Sequence, residues 1–302
     1  MNDGMRDDAV SRALAPIGGD DADDVAPVHG SAAGATRKER EAIAADPQAL
    51  LALGALIGRL FLHDRRAPTF VIINVIQPLI WLLLFGSLFS GVTRLAGFPT
   101  DNYFAFLAPG LMVMTSLFGS AFSGMSLLMD EQRGLLDRFF TSPVPHWTIL
   151  ASYVLHTALI VMVQASVILL AAMIAGARPS GGFIGLLATY GAVFLIGGAV
   201  GALSNALALV LKRHDAVIGV MNFMILPLVF LSTMMIARPA MPIWMLHISL
   251  INPVDWAVTV ARAGFFGHWQ GDLWRDMIGL AVFFVLMTML AGRAFRRQRL
   301  SG

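Results

Sequence analysis

Of 302 residues, 57% are hydrophobic and only 13% charged, where a soluble domain carries roughly 25% charged residues. The chain therefore reads as an all-α integral membrane protein, and the absence of cysteine excludes disulfides, thiolate metal sites and thiol catalysis. Its net charge of +2 hides an asymmetry: residues 1–46 hold ten acidic and five basic side chains, and the rest sixteen basic and nine acidic. That basic remainder is strung along membrane flanks, so it is no nucleic-acid surface.

In chain order, residues 1–46 read as a disordered, acidic cytoplasmic tail without the apolar core of a signal peptide. Residues 47–302 form the membrane domain. LALGALIGRLFLHDRR, 51–66, puts Leu53, Leu56, Ile57, Leu60 and Phe61 on helical spacing and ends in charges. This predicts an amphipathic helix in the inner interface; the alternative, that it lengthens the first span, would draw Arg59, His63 and Asp64 into hydrocarbon.

Crossing a core of roughly 30 Å takes about 20 apolar residues. Residues 67–93, 102–129, 139–177, 179–211, 216–237 and 277–292 carry no Asp, Glu, Lys or Arg. They predict six spans at about 68–90, 103–128, 147–175, 183–211, 216–237 and 277–294, with kinks at Pro78, Pro109 and Pro227. With the amino end inside, eleven Lys and Arg side chains flank the inner ends of these spans and five the outer ends, so both termini are expected in the cytoplasm.

The spans contain no Asp or Glu, which disfavours ion-coupled transport, and His156 is the only histidine well inside one. A lone histidine without a partner at helical spacing reads as a packing residue. Asn74, Gln77, Gln164, Asn205 and Asn222 are expected to face the bundle interior, either lining a substrate path or bonding helix to helix. Gly197 and Gly201 form a small-xxx-small pair that serves packing within the subunit or dimerisation equally well. No catalytic or metal-binding constellation is present. A phosphate-binding loop needs lysine after glycine, and the two lysines, Lys38 and Lys212, follow Arg37 and Leu211.

Between the second and third spans, Asp130–Phe140 predicts a short amphipathic helix with Leu135, Leu136, Phe139 and Phe140 on one side, stopped by Pro143 and Pro145. Arg133 and Asp137, four apart, can pair on it. The last connection holds Trp244, Pro253 and Trp256 among aliphatic residues, with Asp255 and Arg262 keeping it from spanning. Residues 241–266 are read as a re-entrant or interfacial hairpin broken at Asn252–Pro253, or as an interfacial helix held by its tryptophans.

These features in order resemble the permease subunits of type-2 ATP-binding-cassette (ABC) exporters, the group that includes daunorubicin-resistance permeases and nodulation lipo-oligosaccharide exporters. QPLIWLLLFGSLF (77–89), EQRGLLDRFFTSPVP (131–145), LPLVFLS (226–232) followed by MPIWM, and LINPVDWAVTVAR (250–262) carry the resemblance from about Leu51 to Arg297. Departures are Leu135, where the family often has threonine, and Asp137, where glutamate is commoner.

The resemblance implies a multi-pass subunit of the bacterial cytoplasmic (inner) membrane that pairs with a second permease chain, as homodimer or heterodimer, and with separate ABC ATPase subunits. ATP and Mg would belong to that partner, with no cofactor in this chain. Residues 130–140 would be a coupling helix, with Glu131, Arg133, Gly134, Asp137, Arg138 and Pro143 at the family's positions, and 241–266 would help close the outer face. The expected cargo is a hydrophobic or amphipathic drug or lipid, the alternative a lipid-linked glycan or lipo-oligosaccharide. A membrane scaffold or sensor that docks a cytoplasmic partner is the reading from another class.

Overall fold

The structure, a computed structural model, describes residues 47–66, 69–89, 91, 102–136, 146–234, 238, 241–269 and 273–301. All belong to a compact unit spanning residues 43–302, and the expected acidic tail lies outside the described residues. Ten helices and no strand occur among them. They are α1 (Pro47–Arg66), α2 (Thr69–Leu88), α3 (Tyr103–Ala121), α4 (Gly124–Gln132), α5 (His146–Ile174), α6 (Gly182–Leu211), α7 (His214–Phe230), α8 (Ile243–Ser249), α9 (Pro253–Phe266) and α10 (Leu273–Ser301).

Four runs are long and apolar enough to cross a membrane: α3 with α4, α5, α6 and α10. The pair α8 and α9, bent by 86°, makes a fifth if counted as one broken span. Two further apolar helices are shorter, Ile72–Leu88 within α2 and α7. Pro78, Pro109 and Pro227 lie inside α2, α3 and α7.

Helix α3 is the central element. Asn102 caps it by accepting a hydrogen bond from the Phe104 amide at 2.9 Å, and nearly every side chain along it is buried. By contrast α10 presents most of its apolar surface outward. In water that surface would cost about 25 cal/mol per Å², so it fits a lipid environment.

The second predicted span is interrupted. At Phe122–Ser123 the helical ladder breaks, and α6 supplies the missing partners. Ser204 Oγ donates to the Ala121 carbonyl at 2.6 Å and accepts from the Gly124 amide at 3.1 Å, while Ser123 Oγ donates to the Gly201 carbonyl at 3.3 Å. Backbone groups freed at the break are thus satisfied by a neighbouring helix.

Helices α6 and α9 meet backbone to backbone. A Cβ on Gly185 would stand 2.1 Å from the Gly264 carbonyl oxygen, so only glycine permits the approach. Thr189 Oγ1 donates to the Ala261 carbonyl at 3.0 Å in the same seam. Gly197 and Gly201 also pack within the chain: a Cβ on the first would lie 2.4 Å from Ser116 Oγ of α3, and on the second 2.9 Å from Thr157 Cγ2 of α5. Their spacing is accounted for inside one subunit.

Candidate functional site

The segment expected to form one helix over 130–140 does not. Its first residues end α4, where the Gly134 amide donates to the Glu131 carbonyl at 2.9 Å and Gly134 takes φ +67°, a left-handed conformation that favours glycine. Leu135 and Leu136 resume helical geometry, and Asp137, Arg138 and Pro143 lie outside the described residues. The correction has a local cause, because a helix cannot continue through a residue of positive φ.

The acidic pair at the end of α4 turns toward the bundle and not toward solvent. Asp130 is buried and accepts from Arg59 Nη2 of α1 at 2.8 Å and from the Tyr153 hydroxyl of α5. Glu131 accepts from Gln298 Nε2 of α10 and lies 3.4 Å from Lys212 Nζ at the end of α6, while its buried Oε2 has no hydrogen-bond partner among the described residues. Two adjacent carboxylates thus join one short helix to four others. Arg133 is exposed and makes no ion pair among the described residues.

His156 has the acidic neighbour that sequence spacing did not reveal. Asp64 of α1 brings Oδ2 to 3.0 Å from His156 Nε2, at an angle that makes no hydrogen bond, and Phe61 meets the imidazole edge-on at 4.8 Å. Arg59 and Asp64 are two of the three polar groups that argued against burying α1; Arg59 is paired with Asp130, and Asp64 lies beside His156 without a hydrogen bond to it. A cavity of about 250 Å³ lies here between α1, the α3–α4 break and α5.

Of the five uncharged polar residues, Gln164 lines this cavity and is buried, with Oε1 unpartnered. Gln77 faces outward in a shallow groove with Ile73, Ile80 and Trp81. Asn74 is buried, Asn222 half-buried, and Asn205 fully buried with neither amide atom hydrogen-bonded among the described residues. Gln77 and Gln164 line separate cavities of this chain.

At the other end of α3 a second polar cluster forms around the bend between α8 and α9. Asn252 caps α9 through the Val254 amide at 2.9 Å, with Pro253 in the first helical position, and its Nδ2 donates to the Leu228 carbonyl at 2.7 Å. Asp255, fully buried, accepts from the Thr233 amide at 2.7 Å and from Arg238 Nη2 at 3.2 Å. Arg262 donates to the Thr233 carbonyl at 3.1 Å and stacks 4.1 Å over the Phe106 ring. Sequence reading took Asp255 and Arg262 as charges that bar the segment from spanning; only their partners, 17 to 29 residues earlier, reveal the brace. No group of three metal-ligating side chains occurs among the described residues.

Comparison with known proteins follows the same outline. The sequence model of the family described as ABC-2 type transporter matches residues 52–266. The putative transport permease ycf38 of Cyanophora paradoxa is 32% identical over 211 residues, covering 70% of this chain and 72% of the relative. The daunorubicin resistance ABC transporter permease protein DrrB1 of Streptomyces coeruleorubidus is 30% identical over 235 residues, covering 76% and 82%. The probable multidrug ABC transporter permease YbhR of Escherichia coli K12 is 25% identical over 206 residues, covering 66% and 54%.

Proposed function

Because this chain belongs to the ABC-2 type transporter family, we propose that it is the membrane-spanning subunit of a bacterial exporter powered by a separate ATPase. The observation that carries the reading is the set of tethers on α4. Asp130 and Glu131 link it to α1, α5, α6 and α10, so a displacement of the segment that follows is passed to four helices together. Residues 131–143, with Glu131, Arg133, Gly134, Asp137, Arg138 and Pro143, are the segment on which the ATPase acts, with Glu131 anchoring it to the bundle. ATP and Mg act in that partner.

In this arrangement α2, α3 with α4, α5, α6, α7 and α10 are the six spans. At 20 and 17 residues, α2 and α7 are about 30 and 26 Å long, close to the hydrocarbon thickness. Helices α8 and α9 form a re-entrant hairpin on the outer face, its charges neutralised within the chain. The arginine distribution supports a cytoplasmic place for both termini, and a second permease chain completes the translocation path. The names of two relatives, one a daunorubicin resistance permease and one a probable multidrug permease, favour efflux of a hydrophobic or amphipathic compound.

Co-purification with an ABC ATPase from the same genome tests the reading. Glu131→Ala and Arg138→Ala are expected to insert normally yet lose transport and ATPase stimulation by tenfold or more, on the order of 1.4 kcal/mol of coupling. Stimulation at wild-type level in both variants removes the coupling role from residues 131–143.

A further inference from the structure

Two cavities adjoin beneath α1. The one already described, about 250 Å³, shares His63, Ser126 and Met129 with a second of about 200 Å³. Their chemistry differs. The smaller is rimmed by Arg59, Arg66 and Arg133, of which only Arg59 has a carboxylate partner among the described residues.

The larger one holds one carboxylate, Asp64, beside the rings of His63 and His156. Its hydroxyl hydrogens are already used on carbonyl oxygens: Thr157 donates to Tyr153, Ser123 to Gly201 and Ser126 to Ser123. What remains toward the space as an acceptor is the Asp64 carboxylate, partly exposed and without a hydrogen bond among the described residues, together with hydroxyl lone pairs; Gln164 Oε1 is closed off against Gly119. A half-buried carboxylate without a donor is costly, so the site favours a ligand that brings donors. Phe122, Met125 and Ile160 supply an apolar wall.

An anion-binding rim beside a donor-seeking pocket, at a helix of membrane-interface character, matches a headgroup that carries a phosphate and a primary ammonium on an acyl-chain body. We propose that this double cavity binds the headgroup of a phosphatidylethanolamine-type lipid, its phosphate at Arg66 and its ammonium at Asp64. The assignment rests on the reading of α1 as an interface helix. It makes α1 a lipid-reading element that covers the bundle at α5 and the α3–α4 break. A choline headgroup has the same charges but no N–H to donate, so the Asp64 carboxylate discriminates between the two.

The test uses the full chain in nanodiscs containing equal parts phosphatidylethanolamine, phosphatidylcholine and phosphatidylglycerol. Lipid retained after extraction into detergent is counted by native mass spectrometry. Ethanolamine lipid is expected to be retained roughly tenfold over choline lipid, the size of one charge-assisted hydrogen bond. Asp64→Asn, nearly isosteric, should abolish that preference while leaving total retention unchanged. Arg66→Gln should lower retention of all three lipids together.

Equal retention of ethanolamine and choline lipids overturns the proposal, as does an unaltered preference in a folded Asp64→Asn variant. The chain has no native cysteine, so a fluorophore on Leu51→Cys reports separately whether α1 lies in the bilayer, through quenching by spin-labelled lipid. No quenching overturns the interface reading and the proposal with it. Failure to bind an ATPase would strike the exporter reading and leave lipid retention as it is.

Discussion

Asp130 and Asp255 are both buried carboxylates in a chain with few charges, and they are held in opposite ways. Asp255 is bonded to Thr233 and Arg238, 22 and 17 residues away, and closes a local loop between the end of α7 and the start of α9. Asp130 reaches Arg59 across 71 residues, and its neighbour Glu131 reaches Gln298 across 167. The first arrangement is a brace: short links, a backbone donor, one geometry. The second is a set of tethers made by long side chains from separate helices, which hold those elements to a common point and can re-pair when they shift. A brace suits a part that must keep its shape, and tethers suit a part that transmits movement.

The contrast is broken most directly at the brace. Asp255→Ala leaves the Thr233 amide and hydroxyl unpaired in a buried site, while Arg238, 43% exposed, can turn to water, and a loss of about 2–4 kcal/mol is expected, read as early thermal unfolding in detergent. If it unfolds no earlier than Asp130→Asn, the two clusters are not different in kind. Next in size, Gly185→Leu should force α6 and α9 apart at a cost of about 1–3 kcal/mol, visible in the same melt.

Asp130→Asn keeps the shape and gives up the charge. A stability loss of about 1–2 kcal/mol is expected, since Arg59 is 38% exposed and can turn to water. Its ATPase stimulation should fall by a larger factor than in any folded variant of the brace. Smallest of all, Gln77→Leu on the outward face of α2 should change stability by within about 0.5 kcal/mol and leave stimulation intact. A large transport defect there would return Gln77 to the substrate path.

Apolar runs made the helices legible, because hydrocarbon thickness imposes a length that any reader can measure along the chain. Asn252–Pro253 was legible too, since a capping side chain followed by proline is a local signal for a helix start. Partners were not. His156 looked solitary because its neighbour, Asp64, comes from another helix 92 residues earlier in the chain, where spacing along one helix carries no information. The same holds for Asp255 and Arg262, and for the break at Phe122–Ser123, which is made tolerable by Ser204 of α6. Gly134 was visible as a residue, yet only its positive φ shows that the 130–140 helix is divided there.

That break at Phe122–Ser123 also sets a lever ratio. Beyond it α4 is nine residues long, an arm of about 13 Å, and its far end carries both acidic side chains. A change of about 10° in the angle at the break carries Gln132 through roughly 2 Å, enough to exchange one hydrogen-bond partner for another while the remainder of the helix run stays where it was.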